Sequence, residues 1–170
     1  MFRFCGVSKA FGEVRAVDGV DLEIRGGEVT ALLGENGAGK STLMKLLYGV
    51  YRPDAGTIMI DGRTAALGSP AAAILQGIGM VFQQFTLLPA LSVLENLLLS
   101  WPRTRWLLRR DQSGVLARLK VLAPALDPAR RVADLAVGER QLVELVRVLN
   151  MDARCVILDE PTSVLTPMET

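Results

Sequence analysis

The nine residues Gly34-Glu35-Asn36-Gly37-Ala38-Gly39-Lys40-Ser41-Thr42 constrain this chain more than any other stretch. They fit the pattern G-x-x-x-x-G-K-S/T, in which glycines let the backbone turn until successive N–H groups point inward at phosphate oxygens. The pattern requires a strand before it and a helix after it. The apolar run from Val29 to Leu33 predicts the strand. The helix is predicted over Lys40 to Gly49, with Leu43, Leu46 and Leu47 on one face and a glycine at its end. A helix N-terminus adds partial positive charge where the phosphates would lie. On this reading Lys40 reaches the β- and γ-phosphates, and the Ser41 hydroxyl is a ligand for Mg2+. The plain alternative is a glycine-rich turn with no ligand, and the flanking elements argue against it.

Composition narrows the rest. The chain has 170 residues, enough for one domain of ordinary size, and half of them are apolar. A net charge of only +1 argues against disorder and against a polyanion-binding tail. Cys5 and Cys155 stand far apart and suggest neither a disulfide framework nor a metal cluster. Within Cys155-Val156-Ile157-Leu158 the cysteine reads as a small buried hydrophobe. Met1-Phe2-Arg3-Phe4 runs into polar residues, so no cleavable signal peptide is visible. The most hydrophobic region, Leu87 to Trp101, is broken by Pro89, Ser92, Glu95 and Asn96 and falls short of the ~20 apolar residues of a spanning helix. A soluble protein of a reducing compartment is the expectation.

Along the chain, Phe2 to Val7, Val20 to Ile24, Val29 to Leu33, Thr57 to Ile60 and Ile78 to Phe82 read as strands. From about Ser92 to Leu149 the pattern turns helical. Asp111 to Leu122 is an amphipathic helix with Leu116, Leu119, Val121 and Leu122 as its expected core face. A second helix carries Leu142, Leu145, Val146 and Leu149 at i, i+3, i+4 and i+7. Cys155 to Leu158 returns to a buried strand whose carboxyl end presents Asp159 and Glu160, the place where open α/β sheets bind ligands. An acidic pair after a strand is commonly a solvated turn. Beside a phosphate loop it reads otherwise: Asp159 as a holder of Mg2+, directly or through water, and Glu160 as the general base that polarises the attacking water.

Taken together, these motifs resemble the nucleotide-binding domain of ATP-binding cassette (ABC) transporters, over nearly the whole chain. Several phrases are similar to the ATPases of simple-sugar and nucleoside importers: Gly12-Glu13-Val14-Arg15-Ala16-Val17, Gly34 to Lys40, Gly77-Ile78-Gly79-Met80-Val81-Phe82-Gln83, and Leu158-Asp159-Glu160-Pro161-Thr162-Ser163-Val164-Leu165-Thr166-Pro167. The fold so implied is α/β: a P-loop NTPase core of ABC type with an inserted helical subdomain and its C-terminal part missing. Residues 1–170 would form a single partial domain, with the core in 1–90 and 151–170 and the helical subdomain in about 91–150. The resemblance implies ATP and Mg2+ as ligands. It makes Phe11 the aromatic that stacks on adenine, with Val17 beside it, against the plainer reading of core packing. It makes Gln83, rather than Gln84, the glutamine that senses Mg2+ and the attacking water, at the hinge into a subdomain that docks on a membrane permease. Site residues on this reading are Lys40, Gln83 and Glu160 for catalysis. Phe11, Val17, Gly34, Glu35, Asn36, Gly37, Ala38, Gly39, Lys40, Ser41, Thr42, Gln83, Asp159 and Glu160 would contact nucleotide, and Ser41, Gln83 and Asp159 would hold Mg2+.

The same resemblance places Leu135-Ala136-Val137-Gly138-Glu139-Arg140-Gln141 at the loop that family members write Leu-Ser-Gly-Gly-Gln or Leu-Ser-Val-Gly-Glu. There, two cassettes pair head to tail, and each loop closes over the γ-phosphate held by the other. Ala136 stands where the family has serine, and Leu142 where many members have arginine. Alanine offers neither a donor to phosphate nor a helix cap. Loss of such a donor is expected to slow hydrolysis by on the order of 100-fold, although the substitution also reads as a tolerated variant.

Trp101-Pro102-Arg103-Thr104-Arg105-Trp106-Leu107-Leu108-Arg109-Arg110 interleaves aromatics and cations, a pattern compatible with single-stranded nucleic acid. Near-neutral charge favours a solvated loop instead, or a contact with a permease loop or lipid head groups; no nucleic-acid partner is expected. The family's phosphate-bonded histidine has no counterpart, because the chain has no histidine. The chain is therefore expected to be either a fragment, as of the first of two fused cassettes, or a shortened cassette that on its own binds MgATP weakly and hydrolyses it poorly.

The leading expectation is an ATPase subunit at the cytoplasmic side of the plasma membrane. It would energise import of a small solute such as a simple sugar or nucleoside, together with a second cassette, transmembrane permease subunits and, indirectly, a solute-binding protein. Two alternatives stay open: a degenerate cassette that binds nucleotide without efficient hydrolysis, and an ABC ATPase outside transport, which would ordinarily carry long insertions.

Overall fold

The computed structural model describes residues 1–99 and 112–159. The chain divides into two compact units, Met1–Ile78 and Gly79–Thr170.

The first unit is built on a four-stranded antiparallel sheet in the order β2-β1-β3-β4, comprising β1 (Phe2–Phe11), β2 (Val14–Ile24), β3 (Ala55–Ile60) and β4 (Arg63–Thr64). Alternation places Phe2 and Phe4 inward, opposite Ile60 and Ile58. A register shift between Phe4 and Val7 then resets the alternation, so that Val7 is buried in turn. Each of these side chains contributes roughly 1.5–3 kcal/mol on leaving water. Helix α1 (Lys40–Leu47) lays Leu43, Leu46 and Leu47 into the interior and packs on β2. A short helix α2 (Pro70–Leu75) starts with Pro at its first position, and the Ser69 hydroxyl accepts the Ala72 N–H at 3.2 Å.

One expected strand is absent. Val29 to Leu33 runs as an irregular segment, with Val29 99% and Leu33 92% exposed. Apolar sequence alone does not make a strand; a ladder partner does. The four strands of this unit pair among themselves, and among the described residues no strand pairs with that run.

In the second unit β5 (Ile78–Val81) pairs with β6 (Cys155–Leu158). Around Leu87, Val93, Leu97, Val115, Leu119, Leu135, Val143 and Val146 a separate core forms. It is enclosed by α3 (Val93–Leu99), α4 (Gln112–Leu122) and α5 (Val137–Leu149), which pack against one another. A 3-10 turn, Val132–Asp134, precedes α5.

Both predicted helical faces are partly shifted: Leu119 and Val146 are buried as expected, whereas Val121, Leu122 and Leu142 are exposed. On α4 the buried pair is Val115 and Leu119, at i and i+4, while Val121 is 79% exposed, and Ala123 closes the core in its place. On α5 the buried residues are Val143, Glu144, Val146 and Val148, and Leu142 is exposed. Three valines and a glutamate with its own ion pair take the interior ahead of Leu142. The Trp101 to Arg110 stretch lies outside the described residues. Among the described residues no helix is long and apolar enough to cross a membrane.

Candidate functional site

In the first unit the loop from Gly34 to Thr42 closes on itself. Lys40 Nζ donates to the carbonyls of Gly34, at 2.7 Å, and Glu35, at 2.8 Å. The Ala38 N–H donates to Glu35 O at 3.1 Å, and α1 begins with the Leu43 N–H on Gly39 O at 2.9 Å. Gly39 caps the helix in the left-handed region, φ 84°, and a Cβ there would stand 2.1 Å from the Ala16 carbonyl and 3.4 Å from Val17. Only glycine lets the loop lie this close to β2. That contact brings the buried Val17 against the loop, while Ser41 and Thr42 follow on the first turn of α1.

Phe11 is the last residue of β1, paired with Val14, and is 43% exposed. Its ring is held by its own unit. Tyr51 meets it edge-on with centroids 5.0 Å apart, and Lys9 Nζ stands 5.6 Å from its centre. Lys9 is fixed in turn by Asp54, whose carboxylate accepts Lys9 Nζ at 2.7 Å and the Ala10 N–H at 2.8 Å. The bond from Lys9, then that from Ala10, holds the Asp54 carboxyl below its ordinary range.

In the second unit the Asp159 N–H donates to Val81 O at 3.2 Å. The carboxyl end of β6 therefore lies beside the segment that leads, two residues later, to the exposed Gln83. Glu160 lies outside the described residues. Burial pushes the Cys155 thiol up, in keeping with its place among apolar neighbours.

Just past Gln83 the chain is anchored to α5. Glu144, 1% exposed, accepts the Thr86 N–H at 2.6 Å and its hydroxyl at 3.0 Å, and pairs with Arg147, which also bonds the Thr86 side chain. The next turn is organised by the buried Asn96: its Oδ1 accepts the Leu88 N–H at 2.8 Å, and its Nδ2 donates to Ser92 O at 2.9 Å.

The loop from Leu135 to Gln141 is pinned at several points. Arg140 donates to Leu135 O and Ala133 O, both at 3.0 Å. Arg130 pairs with Glu139 at 2.9 Å and bonds the Asp134 carbonyl. Ala136 holds the N-cap position with extended backbone, φ −62° and ψ 162°, and Glu139 Oε2 accepts its N–H at 2.7 Å. That is half of a capping box, since alanine has no oxygen to return a bond. The start of α3 shows the complete form: Ser92 donates its N–H and hydroxyl to Glu95, each at 2.8 Å, and its Oγ accepts the Glu95 N–H at 3.2 Å. Those bonds hold the Glu95 carboxyl below its ordinary range.

Sequence reasoning missed Tyr51, Asp54, Thr86, Arg130 and Glu144. Glu144 left a signal: a charged residue among valines, with an arginine at i+3. Tyr51 and Asp54 left none, because their roles arise from a turn that folds back on β1.

The model of the ABC transporter family matches residues 17–163. The chain belongs to the ABC transporter family. The matched span holds Val17, the 34–42 loop, Gln83, the 135–141 loop and the Asp159-Glu160 pair; Phe11 precedes it. Among curated proteins, this cassette is 46% identical over 170 residues to the ribose import ATP-binding protein RbsA of Chromobacterium violaceum, with 96% of this chain and 34% of that protein aligned. The chain thus spans about a third of the length of such relatives. Among solved structures, a nucleotide-free ATP-binding cassette from an ABC transporter superposes with a TM-score of 0.85 at 28% identity, covering 99% of this chain and 72% of that one. A dimeric bacterial ABC transporter cassette gives 0.79 at 27% identity, covering 99% and 78%. The α/β cassette fold expected from the motifs is therefore the fold of this chain.

Proposed function

We propose that this chain is the nucleotide-binding part of an ATPase that energises import of a sugar of the ribose type. The observation that carries this reading is the 34–42 loop, with its left-handed Gly39 packed on β2 and Lys40 at the mouth of α1. The α1 dipole and the backbone N–H groups that such a loop offers to phosphate suit a triphosphate. Serine hydroxyl and aspartate carboxylate oxygens, as at Ser41 and Asp159, are the hard donors that Mg2+ takes, with Gln83 beside them in role. Bound there, Mg2+ would neutralise charge on the β- and γ-phosphates.

The remaining roles belong to this chain's own groups. Phe11, with Val17, would stack on the base. Gly34 to Thr42 would bind the phosphates, with Lys40 on the β- and γ-phosphates. Glu160 would take the proton of the attacking water. Leu135 to Gln141 would close on nucleotide held by a second cassette, a pairing supported by the dimeric cassette that this chain resembles. The ribose-import relatives support a permease as membrane partner and a place on the cytoplasmic face of the membrane; a solute-binding protein would then deliver the sugar.

The test is ATP hydrolysis by the transporter assembled in lipid nanodiscs, with and without ribose-loaded binding protein. The expected result is stimulated hydrolysis that Glu160→Gln lowers by at least about 100-fold while MgATP binding persists. Binding that is indifferent to Lys40→Ala would overturn the assignment of the loop.

A further inference from the structure

One residue joins the far end of the phosphate-loop helix to the ring proposed to stack on the base. Beyond α1, Gly49 turns into the left-handed region, φ 76°, and the Val50 N–H returns to Lys45 O at 2.9 Å, a closure that glycine favours at helix ends. The Tyr51 N–H reaches the same carbonyl at 3.4 Å. Tyr51 is thus tied to the C-terminal end of α1, the helix whose N-terminal end is the phosphate loop. Its ring then meets Phe11 at 5.0 Å between centroids and 70° between planes, an edge-on aromatic contact. Three residues on, Asp54 fastens the same turn to β1 through Lys9, the Ala10 N–H and its own N–H on Ser8 O at 2.9 Å.

We infer that Tyr51 is a positioning residue for nucleotide binding, holding the Phe11 ring at a set offset from the phosphate-binding helix. The inference rests on the proposal that Phe11 stacks on the base. A helix of eight residues spans about 12 Å and does not stretch. An exposed phenylalanine at a strand end, by contrast, is free to change rotamer unless something stops it. The Lys9 ammonium lies over the ring, so the base must approach from a part of the ring that the ammonium leaves open. Tyr51 removes rotamer freedom that the base would otherwise have to remove on binding.

The experiment is steady-state ATP hydrolysis by the assembled transporter, with inorganic tripolyphosphate as a competitive, base-free probe. Tyr51→Ala is expected to raise KM for ATP about threefold to tenfold, leaving kcat and the inhibition constant of tripolyphosphate unchanged. Tyr51→Phe, which keeps the edge-on ring, is expected to keep the wild-type KM. An unchanged KM in Tyr51→Ala overturns the inference. So does a parallel rise in KM and in the tripolyphosphate constant, which would mark a general loss of structure. A Phe11→Ala transporter with wild-type KM would overturn the base-stacking reading itself, and the Tyr51 inference with it.

Discussion

Glu144 and Thr86 are joined by two hydrogen bonds, at 2.6 Å to the Thr86 N–H and 3.0 Å to its hydroxyl, although 58 residues separate them in sequence. Through them α5, which begins at the 135–141 loop, holds the segment that follows Gln83. A buried carboxylate is tolerated only with its partners in place, and here Arg147 supplies the charge.

Arg147→Ala should therefore cost about 3–5 kcal/mol of unfolding free energy, because Glu144 stays buried without its counter-charge. The double substitution Glu144→Leu with Arg147→Met should recover most of that loss. Urea unfolding of the two variants beside wild type checks both; Arg147→Ala within about 1 kcal/mol of wild type would show that the pair is not needed.

Ala136→Ser should complete the half-formed capping box at α5. The expected gain is about 1 kcal/mol, a rise of about 2–4 °C in the thermal midpoint for a chain of this size. The same hydroxyl is expected to raise the hydrolysis rate of the assembled transporter. Heat stability and turnover are separate readouts, and stabilisation without faster turnover would confine the role of residue 136 to the helix start.

Gly39→Ala places a methyl 2.1 Å from the Ala16 carbonyl in a left-handed backbone. The loop must leave β2 to accommodate it. MgATP affinity, read by calorimetry on the assembled transporter, is expected to fall by at least 100-fold, with a stability loss above about 1 kcal/mol.

Acid sensitivity follows from Asp54. Its folded pKa lies below the ordinary 3.8, chiefly through the bond from Lys9. Its stabilising contribution is thus complete above about pH 3.8 and disappears as pH falls through the lowered value. Thermal midpoints of wild type and Asp54→Asn should differ at neutral pH and converge as the pH falls through the lowered Asp54 value. A gap that persists unchanged at pH 2 would show that ionisation of Asp54 is not the cause.

Much of this was legible in the sequence, for physical reasons that differ by element. The loop at Gly34 to Thr42 announces itself because left-handed backbone at Gly39 has few chemical solutions. The helices α1 and α5 show in their apolar repeats, although on α5 the repeat pointed to Leu142 and the structure buries Val143 and Glu144 instead. Hydrophobic periodicity reports that a face exists more reliably than which of two adjacent stripes wins it. Val29 to Leu33 failed because strand identity depends on a neighbour elsewhere in the fold. Tyr51 was illegible for a related reason: its partner, Phe11, lies 40 positions away, across a turn that no local pattern encodes.

That bare run before the phosphate loop also bears on how the chain behaves at the bench. Val29-Thr30-Ala31-Leu32-Leu33 is uncharged, rich in strand-forming side chains and free of proline. Its ends are almost fully solvated, with Val29 and Leu33 92% or more exposed. Such a segment can add as a strand to another molecule, so colloidal loss should set in at a protein concentration well below that at which folding itself fails. Light scattering would then rise with concentration while circular dichroism still reported native secondary structure. A single lysine at position 31 would be the most economical remedy for precipitation.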